Sequence, residues 1–431
     1  MTHPHIVIGG GVAGLVAATS LAKAGQKVVL LEKASSLGGR AATREKHGFS
    51  FNLGPHALYR EGAFRHALRS FGIDPRGGVP GGNGGFAIYD GRLHTLPTGL
   101  LSLLTTDLLP LSAKFEFATL LSRVGSIDAS RIQHETLERW LSANLRHQQV
   151  RDVIRMLVRV TTFTNAPDQQ SAGAAIEQLQ LGTRGNVLYL DGGWQTIVES
   201  LRRAATAAGV RIITGAPAIA IGRNGRTATG IRLGDGTTLP ASTIVVTGSP
   251  SDVDALAGTS FAAMLPPPVR HATLDIGLRM LPNPRRLVAF GVDRPLYFSV
   301  HSAVAKLAPA GGAVLHVSKY LRVDETAGRE TEQELERLVD ELQPGWRDVV
   351  DSRQFLPNLT VTHTMLTAAT GGTAGRPSPR LPGVDNVFIA GDWVGAKGQL
   401  SDAAAASALD AAAAAAAVSC RVEGREPALA S

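Results

Sequence analysis

The stretch HIVIGGGVAG, His5 to Gly14, decides how the chain folds. His5 to Gly9 reads as a short strand of the kind buried on both faces of a parallel sheet. Gly9, Gly11 and Gly14 then give the G-x-G-x-x-G spacing, and Leu15 to Ala24 carries helical periodicity until Gly25 stops it. Lys27 to Leu31 is a second apolar strand, closed by Glu32. Together these make one complete βαβ unit for a dinucleotide. Gly9 allows the tight turn, Gly11 lets a pyrophosphate approach the backbone, and Gly14 lets helix and strand pack closely. The candidate cradle is therefore Gly9, Gly11, Val12, Ala13 and Gly14. Glu32 stands where an acid accepts a hydrogen bond from a ribose hydroxyl, and a carboxylate there disfavours a 2′-phosphate.

The glycine spacing alone does not separate NAD from FAD, because both carry an ADP half. LGGRAAT, Leu37 to Thr43, follows a few positions later and sets two small residues and a guanidinium beside the same crevice. Gly38 and Gly39 would admit an extended cofactor chain, and Arg40 would pair with its phosphates through charge-assisted hydrogen bonds.

Three segments, IVIGGGVAGLVAA, LLEKASSLGGRA and NVFIAGDWVGAKGQLSDAAAASA, resemble the FAD-binding segments of the amine-oxidase-like flavoproteins. That superfamily includes amine oxidases, protoporphyrinogen oxidases and phytoene-type carotenoid desaturases. The resemblance implies non-covalent FAD held by the residues above together with Lys33, the loop Gly54-Pro55-His56, the strand backbone at Ala218, and Gly391, Asp392, Gln399 and Leu400. In the family the acid matching Asp392 accepts from a ribityl hydroxyl. A helix starting near Gln399-Leu400-Ser401 would aim its free N–H groups at the flavin ring and stabilise negative charge there. His56, in FNLGPHALY, is the candidate catalytic residue, as a donor to flavin or substrate or as an acceptor of a substrate proton. True amine oxidases carry a lysine in a strand entering the substrate sheet; the nearest match, ATLDIGLRML, offers Arg279 and no lysine, which favours a desaturase or protoporphyrinogen-oxidase-like activity.

The fold implied is α/β, a Rossmann-like FAD-binding domain with an α+β substrate domain inserted. The FAD-binding domain is discontinuous, residues 1–80, 190–260 and 375–431; the substrate domain takes 81–189, a leucine-rich helical lobe, and 261–374, a mixed antiparallel sheet. YDGRLHTLP resembles the glycine-bearing hairpin that leads into the helical lobe of protoporphyrinogen oxidases. GGVPGGNGGF, Gly77 to Phe86, lacks the flanking strand and helix of a second dinucleotide site and reads as a loop. Without a nicotinamide domain, oxygen or a quinone is the expected electron acceptor.

Composition narrows the function further. Of 431 residues 44% are apolar and 18% charged, which is an ordinary folded chain long enough for two domains. The net charge of +7 is spread along the sequence with no basic block, so a nucleic-acid partner is not expected. A single cysteine, Cys420, excludes an internal disulfide, supplies no zinc cluster and, lying beyond the last flavin-contacting segment, is poorly placed for a covalent flavin link. No metal site is expected. No secretory signal is visible, and Ala403 to Val418 is alanine-rich and broken by Asp410, a helix rather than a membrane span. The expected location is cytoplasmic, with the leucine-rich lobe a candidate for peripheral membrane contact, and the expected substrate is apolar or ring-containing. The reaction read from these features is hydride abstraction leaving a C=C or C=N bond; the alternatives are amine oxidation and a non-redox flavoprotein such as an isomerase.

Overall fold

A five-stranded parallel sheet runs in the order Arg211–Ile213, Val28–Leu31, His5–Ile8, Ile244–Val246 and Val387–Ile389. Its strands come from three separated stretches of chain and pair in register, Ile6 opposite both Val29 and Ile244. Apart from His5 at the start of its strand, the central strands are continuous Val/Ile/Leu runs because both faces are covered. On one face the helices Val12–Lys23, Gln195–Ala207 and Leu400–Val422 bury Leu15, Val16, Leu21, Ile197, Leu201 and a ladder of alanines from Ala404 to Ala415. Those alanines let the first and last helices approach closely, as the alanine-rich tract of the sequence leads one to expect. The other face is covered by a small antiparallel sheet, Ala218–Asn224, Thr227–Leu233 and Thr238–Pro240, and by the helix Pro250–Ala257. This computed structural model describes residues 3–81 and 85–422, and side chains as far as residue 418; Cys420 therefore lies outside the described side chains.

A seven-stranded mixed sheet carries the second layer, in the order Val350–Thr362, Val269–Leu278, Ala313–Tyr320, Leu296–Val300, Val288–Gly291, Gly85–Tyr89, Arg92–Thr95. The amphipathic helix Arg329–Leu342 lays Leu335, Leu338, Val339 and Leu342 on its apolar face, against Leu274, Ile276, Phe298 and Leu315. The opposite face carries His271, Thr273, Asp275, Ser299, His316 and Ser318, all buried. Gly277 on that face is crowded by Phe49 and Phe51, whose rings come within about 3 Å of where its Cβ would stand.

The stretch Gly77 to Phe86 is not the plain loop that its glycines suggest. Gly77–Gly78 pairs with Tyr189 and Leu190, and Gly85–Tyr89 joins the seven-stranded sheet beside Val288–Gly291; residues 82–84 lie outside the described residues. A Cβ on Gly77 would stand 1.9 Å from the Tyr189 carbonyl oxygen, so glycine is required by close packing. The helical lobe, Leu111–Val124, Leu137–Asn144, Gln148–Thr162 and Ala172–Gly185, closes over this sheet around Phe117, Trp140, Leu141 and Ile154. Among the described residues no helix is long and apolar enough to cross a membrane.

Candidate functional site

The first turn of the nucleotide crevice is built from backbone. Gly9 sits at φ +106°, and a Cβ on Gly14 would fall 1.8 Å from the Gly9 carbonyl oxygen, so the helix Val12–Lys23 is seated directly on the end of its strand. A Cβ on Gly11 would meet nothing nearer than the Gly38 carbonyl oxygen at 3.9 Å, leaving an open approach. The helix begins at Gly11 with no side-chain cap, so its first N–H groups face that approach without a side-chain acceptor. Val12 and Ala13 contribute backbone here; their side chains belong to the core. These are the features an anionic pyrophosphate needs.

Glu32 accepts from the Gly10 N–H at 2.6 Å and from the Ala34 N–H at 2.8 Å, one bond on each oxygen. Half of its acceptor capacity is left for a sugar hydroxyl. Beside it the Gly215 and Ala216 N–H groups bind the carbonyls of Ala34 and Glu32, which brings the strand beginning at Ala218 alongside. The ammonium of Lys33 turns outward to Asp252 at 3.1 Å and is mostly exposed; its side chain does not point with Glu32.

Gly38 donates its N–H to the Gly10 carbonyl, and Gly38 and Gly39 take φ of +123° and +54°, a kink that only glycine holds without strain. The kink delivers Arg40 to the far side of the crevice. There its guanidinium grips Asp392, Nη2 to Oδ1 at 2.8 Å and Nη1 to Oδ2 at 3.3 Å, and Nη1 also donates to the Val361 carbonyl. Asp392 further accepts from the His363 N–H and His363 Nδ1, both at 2.8 Å. Burial alone would raise this carboxyl; the Arg40 charge and the His363 bonds overcome it and hold it far below the ordinary carboxylate range. With four donors on two oxygens, Asp392 has no lone pair free for a ribityl hydroxyl. Its own carbonyl accepts from Arg376, a buried guanidinium that also binds the Gly398 carbonyl and whose pKa burial pushes down to about 10. His363 and Arg376 carry no spacing or motif that marks them in the sequence.

The 391–400 turn is fixed from several sides. Ser407 bonds both the N–H and the carbonyl of Gly391, and Gln399 donates to the Ala174 carbonyl of the helical lobe at 2.6 Å. Leu400 opens the final helix at φ +54°, a left-handed conformation costly for leucine. Asp402 in the first turn caps a different helix, accepting from the Phe64 N–H, while its other oxygen is buried with no partner; burial raises its pKa to about 6.

Beyond Leu400 opens a cavity of about 430 Å³, within the range of small-molecule sites. Pro55, His56 and Leu400 form its crevice side; Ile154, Leu157, Phe163, Leu179 and Phe290 form apolar walls; Tyr189, Tyr297 and His301 form a polar corner. Among the described lining residues none is charged. Phe163, at φ +62°, is a second non-glycine residue in the left-handed region on the same cavity. His56 packs edge-on against Trp194, and its two ring nitrogens lie 3.0 and 3.1 Å from the carbonyls of Gly54 and Arg40. Burial lowers its pKa, so the neutral ring donates to one carbonyl, and its bare nitrogen faces the other carbonyl at hydrogen-bond distance. Arg279 lies elsewhere, exposed and bound to the carbonyls of Asp348 and Val350.

Residues 12–279, more than half of the chain, match the family model described as flavin containing amine oxidoreductase. The chain belongs to the flavin containing amine oxidoreductase family. Two relatives within reach of sequence are a hydroxyneurosporene desaturase of Cereibacter sphaeroides, 28% identical over 57% of this chain and 56% of that one, and a carotenoid 3,4-desaturase of Haloarcula japonica, 47% identical over 16% of this chain and 14% of that one. The chain thus matches little more than half of the one and a seventh of the other. Cyclohexylamine oxidase from Brevibacterium oxydans shares the fold, with a TM-score of 0.68 at 17% identity, covering 98% of this chain and 100% of that chain. Membership of this family carries a flavin with it, and the parallel sheet, uncapped glycine turn and 391–400 turn are the parts of the fold that face the crevice.

Proposed function

We propose that the protein is an FAD-dependent oxidoreductase that takes hydride from an apolar or ring-containing substrate and leaves a C=C or C=N bond. The observation that carries this reading is the uncharged cavity opening against Pro55, His56 and Leu400 at the end of the dinucleotide crevice. A protonated amine entering it would be desolvated with no carboxylate to meet it, which is costly. An acyclic polyene or a flat apolar ring system meets no such penalty, so a desaturase-like reaction is favoured over amine oxidation.

In this reading Gly9, Gly11, Val12, Ala13 and Gly14 hold the pyrophosphate, Glu32 and the backbone at Ala218 hold the adenosine, and Gly39, Gly54, Pro55, Gly391, Gln399 and Leu400 shape the channel for the flavin end. FAD, when bound, supplies the hydride acceptor. Arg40 faces the phosphates, while Asp392 positions Arg40 and His363 rather than meeting the ribityl chain. Lys33 acts through its ion pair with Asp252. His56 locks the Gly54 turn against Arg40 and forms the cavity wall, so we assign it a positioning role instead of proton transfer. The dinucleotide domain comprises 1–80, 190–260 and 375–431, the substrate domain 81–189 and 261–374. The flavin is held non-covalently and returns its electrons to oxygen or a quinone.

Leu100, Leu101, Leu104, Leu111 and Phe115 are 61–81% exposed, on the lobe whose Leu120 and Leu121 line the cavity. An apolar patch of this kind, continuous with a greasy cavity, is the surface we assign to peripheral membrane contact and to substrate entry. The deciding experiment is anaerobic mixing of yellow holoenzyme with hydroxyneurosporene in detergent, and separately with cyclohexylamine. Bleaching of the visible flavin band by the polyene alone supports the reading. Bleaching by the amine alone overturns it in favour of amine oxidation, and unchanged absorbance with turnover of the polyene points to an isomerase.

A further inference from the structure

Behind the polar corner of the cavity lies a line of buried titratable groups that none of the roles above uses. Tyr297 Oη is 3.1 Å from His301 Nε2 and 3.4 Å from Tyr189 Oη. The His301 ring stacks on Tyr189, centroids 3.7 Å apart and 12° from parallel, and meets the His316 ring edge-on at 4.4 Å. His316 Nδ1 donates to Asp275 Oδ1 at 2.6 Å, and both residues are fully buried. Asp275 Oδ2 accepts from Gln354 Nε2 at 2.9 Å, which fixes the carboxylate in turn. Two nitrogens in this line are buried without a hydrogen-bond partner, His301 Nδ1 and His316 Nε2.

The two orphans are complementary. A carboxylate only accepts, so the proton of a neutral His316 is on Nδ1 and its Nε2 is a bare acceptor. On the other ring, His301 Nε2 lies 3.1 Å from Tyr297 Oη; with that hydroxyl as the donor, the His301 proton stands on Nδ1, an unused donor. One ring therefore ends in a free donor and its neighbour begins with a free acceptor. Each unmatched nitrogen costs free energy while it is buried, and a hydrogen bond from His301 Nδ1 to His316 Nε2, closed by a turn of the two touching rings, removes that cost.

We propose that Tyr297, His301, His316 and Asp275 form a proton relay that removes the substrate proton during dehydrogenation, Tyr297 being the catalytic residue at the cavity and Asp275 a positioning residue. The inference rests on the function proposed above. The substrate breaks two C–H bonds: one electron pair would leave with its hydrogen as hydride, for which bound FAD would supply the acceptor, and the other pair becomes the second bond of C=C as its proton departs. That proton goes to Tyr297 Oη while the Tyr297 proton moves to His301 Nε2; once the rings turn to bring His301 Nδ1 onto His316 Nε2, His301 passes its own proton along that bond. The charge comes to rest as an imidazolium paired with the Asp275 carboxylate, as the acid of a catalytic triad stabilises its histidine. After product leaves, the proton returns by the same atoms to water in the cavity. His56 and His271 are the other histidines close by, and burial lowers the pKa of both, so neither competes as a charged group.

Two measurements test this on full-length, FAD-loaded protein. Nitrogen-15 histidine NMR, with signals assigned from His301→Gln and His316→Gln, is expected to show both rings protonated on Nδ1 and bare on Nε2; a proton on Nε2 of either ring overturns the relay. Stopped-flow flavin reduction by hydroxyneurosporene is expected to slow ~10²-fold in Tyr297→Phe, with half-saturating concentration and flavin spectrum unchanged. Asp275→Asn is expected to slow it by a smaller factor and to alter its pH profile. Tyr297→Phe reduced as fast as wild type overturns the relay and leaves the proposed function standing. If wild type is not bleached by the polyene, the proposed function fails and the relay falls with it, a result distinct from a fast Tyr297→Phe.

Discussion

The dinucleotide crevice and the cavity beside it are built in opposite ways. The crevice is made largely of backbone: Gly9, Gly11, Gly14, Gly38 and Gly39 bend or yield space, and Glu32 and the Arg40–Asp392 pair, steadied by His363, add side-chain chemistry. The cavity is made of side chains drawn from loop, lobe and sheet, Pro55 to Leu400, and no two of its polar groups are adjacent in the chain. Backbone geometry requires particular residues at fixed spacing. Side-chain walls require only volume and polarity at the right place in three dimensions, which many sequences satisfy.

That difference sets what could be read in the sequence. The βαβ unit from His5 to Leu31 and the close seating of Gly14 were legible because each depends on neighbours within about thirty residues. The hairpin at Asp90-Gly91 was legible for the same reason; both residues take positive φ, as a tight hairpin turn needs. The buried polar face of the seven-stranded sheet was not. HATLDIGL and VLHVSKY alternate polar and apolar residues, a pattern that ordinarily means one face in water. Here the polar face is covered by the Phe49–Phe51 segment, a contact between residues more than two hundred apart. Asp275 and His316 therefore carry no local sign of their burial. Arg40 and Asp392 were both singled out, yet their grip on each other spans 352 positions and has no local signature.

The sharpest break of the comparison is at Gly14. Gly14→Val is expected to drive a side chain into the Gly9 carbonyl, abolish flavin retention and lower the melting temperature by many degrees, because backbone cannot move aside. The volume-matched control is Leu157→Met in the cavity wall, where side chains can repack at a cost under about 1.5 kcal/mol. If absorbance and melting show both variants equally mild, the distinction between backbone-built and side-chain-built regions is wrong.

Glu32→Ala and Arg40→Ala weigh the side chains of the crevice. Loss of a hydrogen bond to a charged group is worth about 1.5–3 kcal/mol, so flavin affinity measured by fluorescence titration is expected to fall at least about tenfold for Glu32→Ala. Arg40→Ala acts differently, since it also strips Asp392 of the arginine it is paired with. The folded pKa of Asp392 is depressed, so its contribution is present above the unfolded value near 4 and lost as pH falls below it. Acid unfolding of Arg40→Ala is expected to begin at higher pH than in wild type, and identical acid transitions would show that the pair does not hold the crevice shut.

Asp402 gives the reverse sign and a smaller effect. Its folded pKa is raised to about 6, so its contribution is favourable below the unfolded value near 4 and is lost as pH rises through about 6. Above that, the buried carboxylate destabilises the protein by at most about 2–3 kcal/mol, the size of a two-unit shift. Asp402→Asn keeps an oxygen for the Phe64 N–H and is expected to raise the melting temperature at pH 8 and to raise it about half as much at pH 5, midway through that window. Equal changes at both pH values would mean that packing, not charge, governs this turn.

The smallest effect on stability is expected where the chain meets neither region's constraints. Leu104, Leu111 and Phe115 already stand 61%, 81% and 77% exposed, so replacing all three by serine removes little buried area. Surface substitutions of this kind stay within about 0.5 kcal/mol each. Binding to anionic phospholipid vesicles, by contrast, gains from every apolar group that enters the interface, at roughly 25 cal/mol per Å² buried. The triple variant is therefore expected to match wild type in melting temperature and flavin content and to lose co-sedimentation with vesicles. A variant that unfolds early would place these residues in the core of the lobe, and one that still co-sediments would move the membrane-facing surface to another part of the molecule.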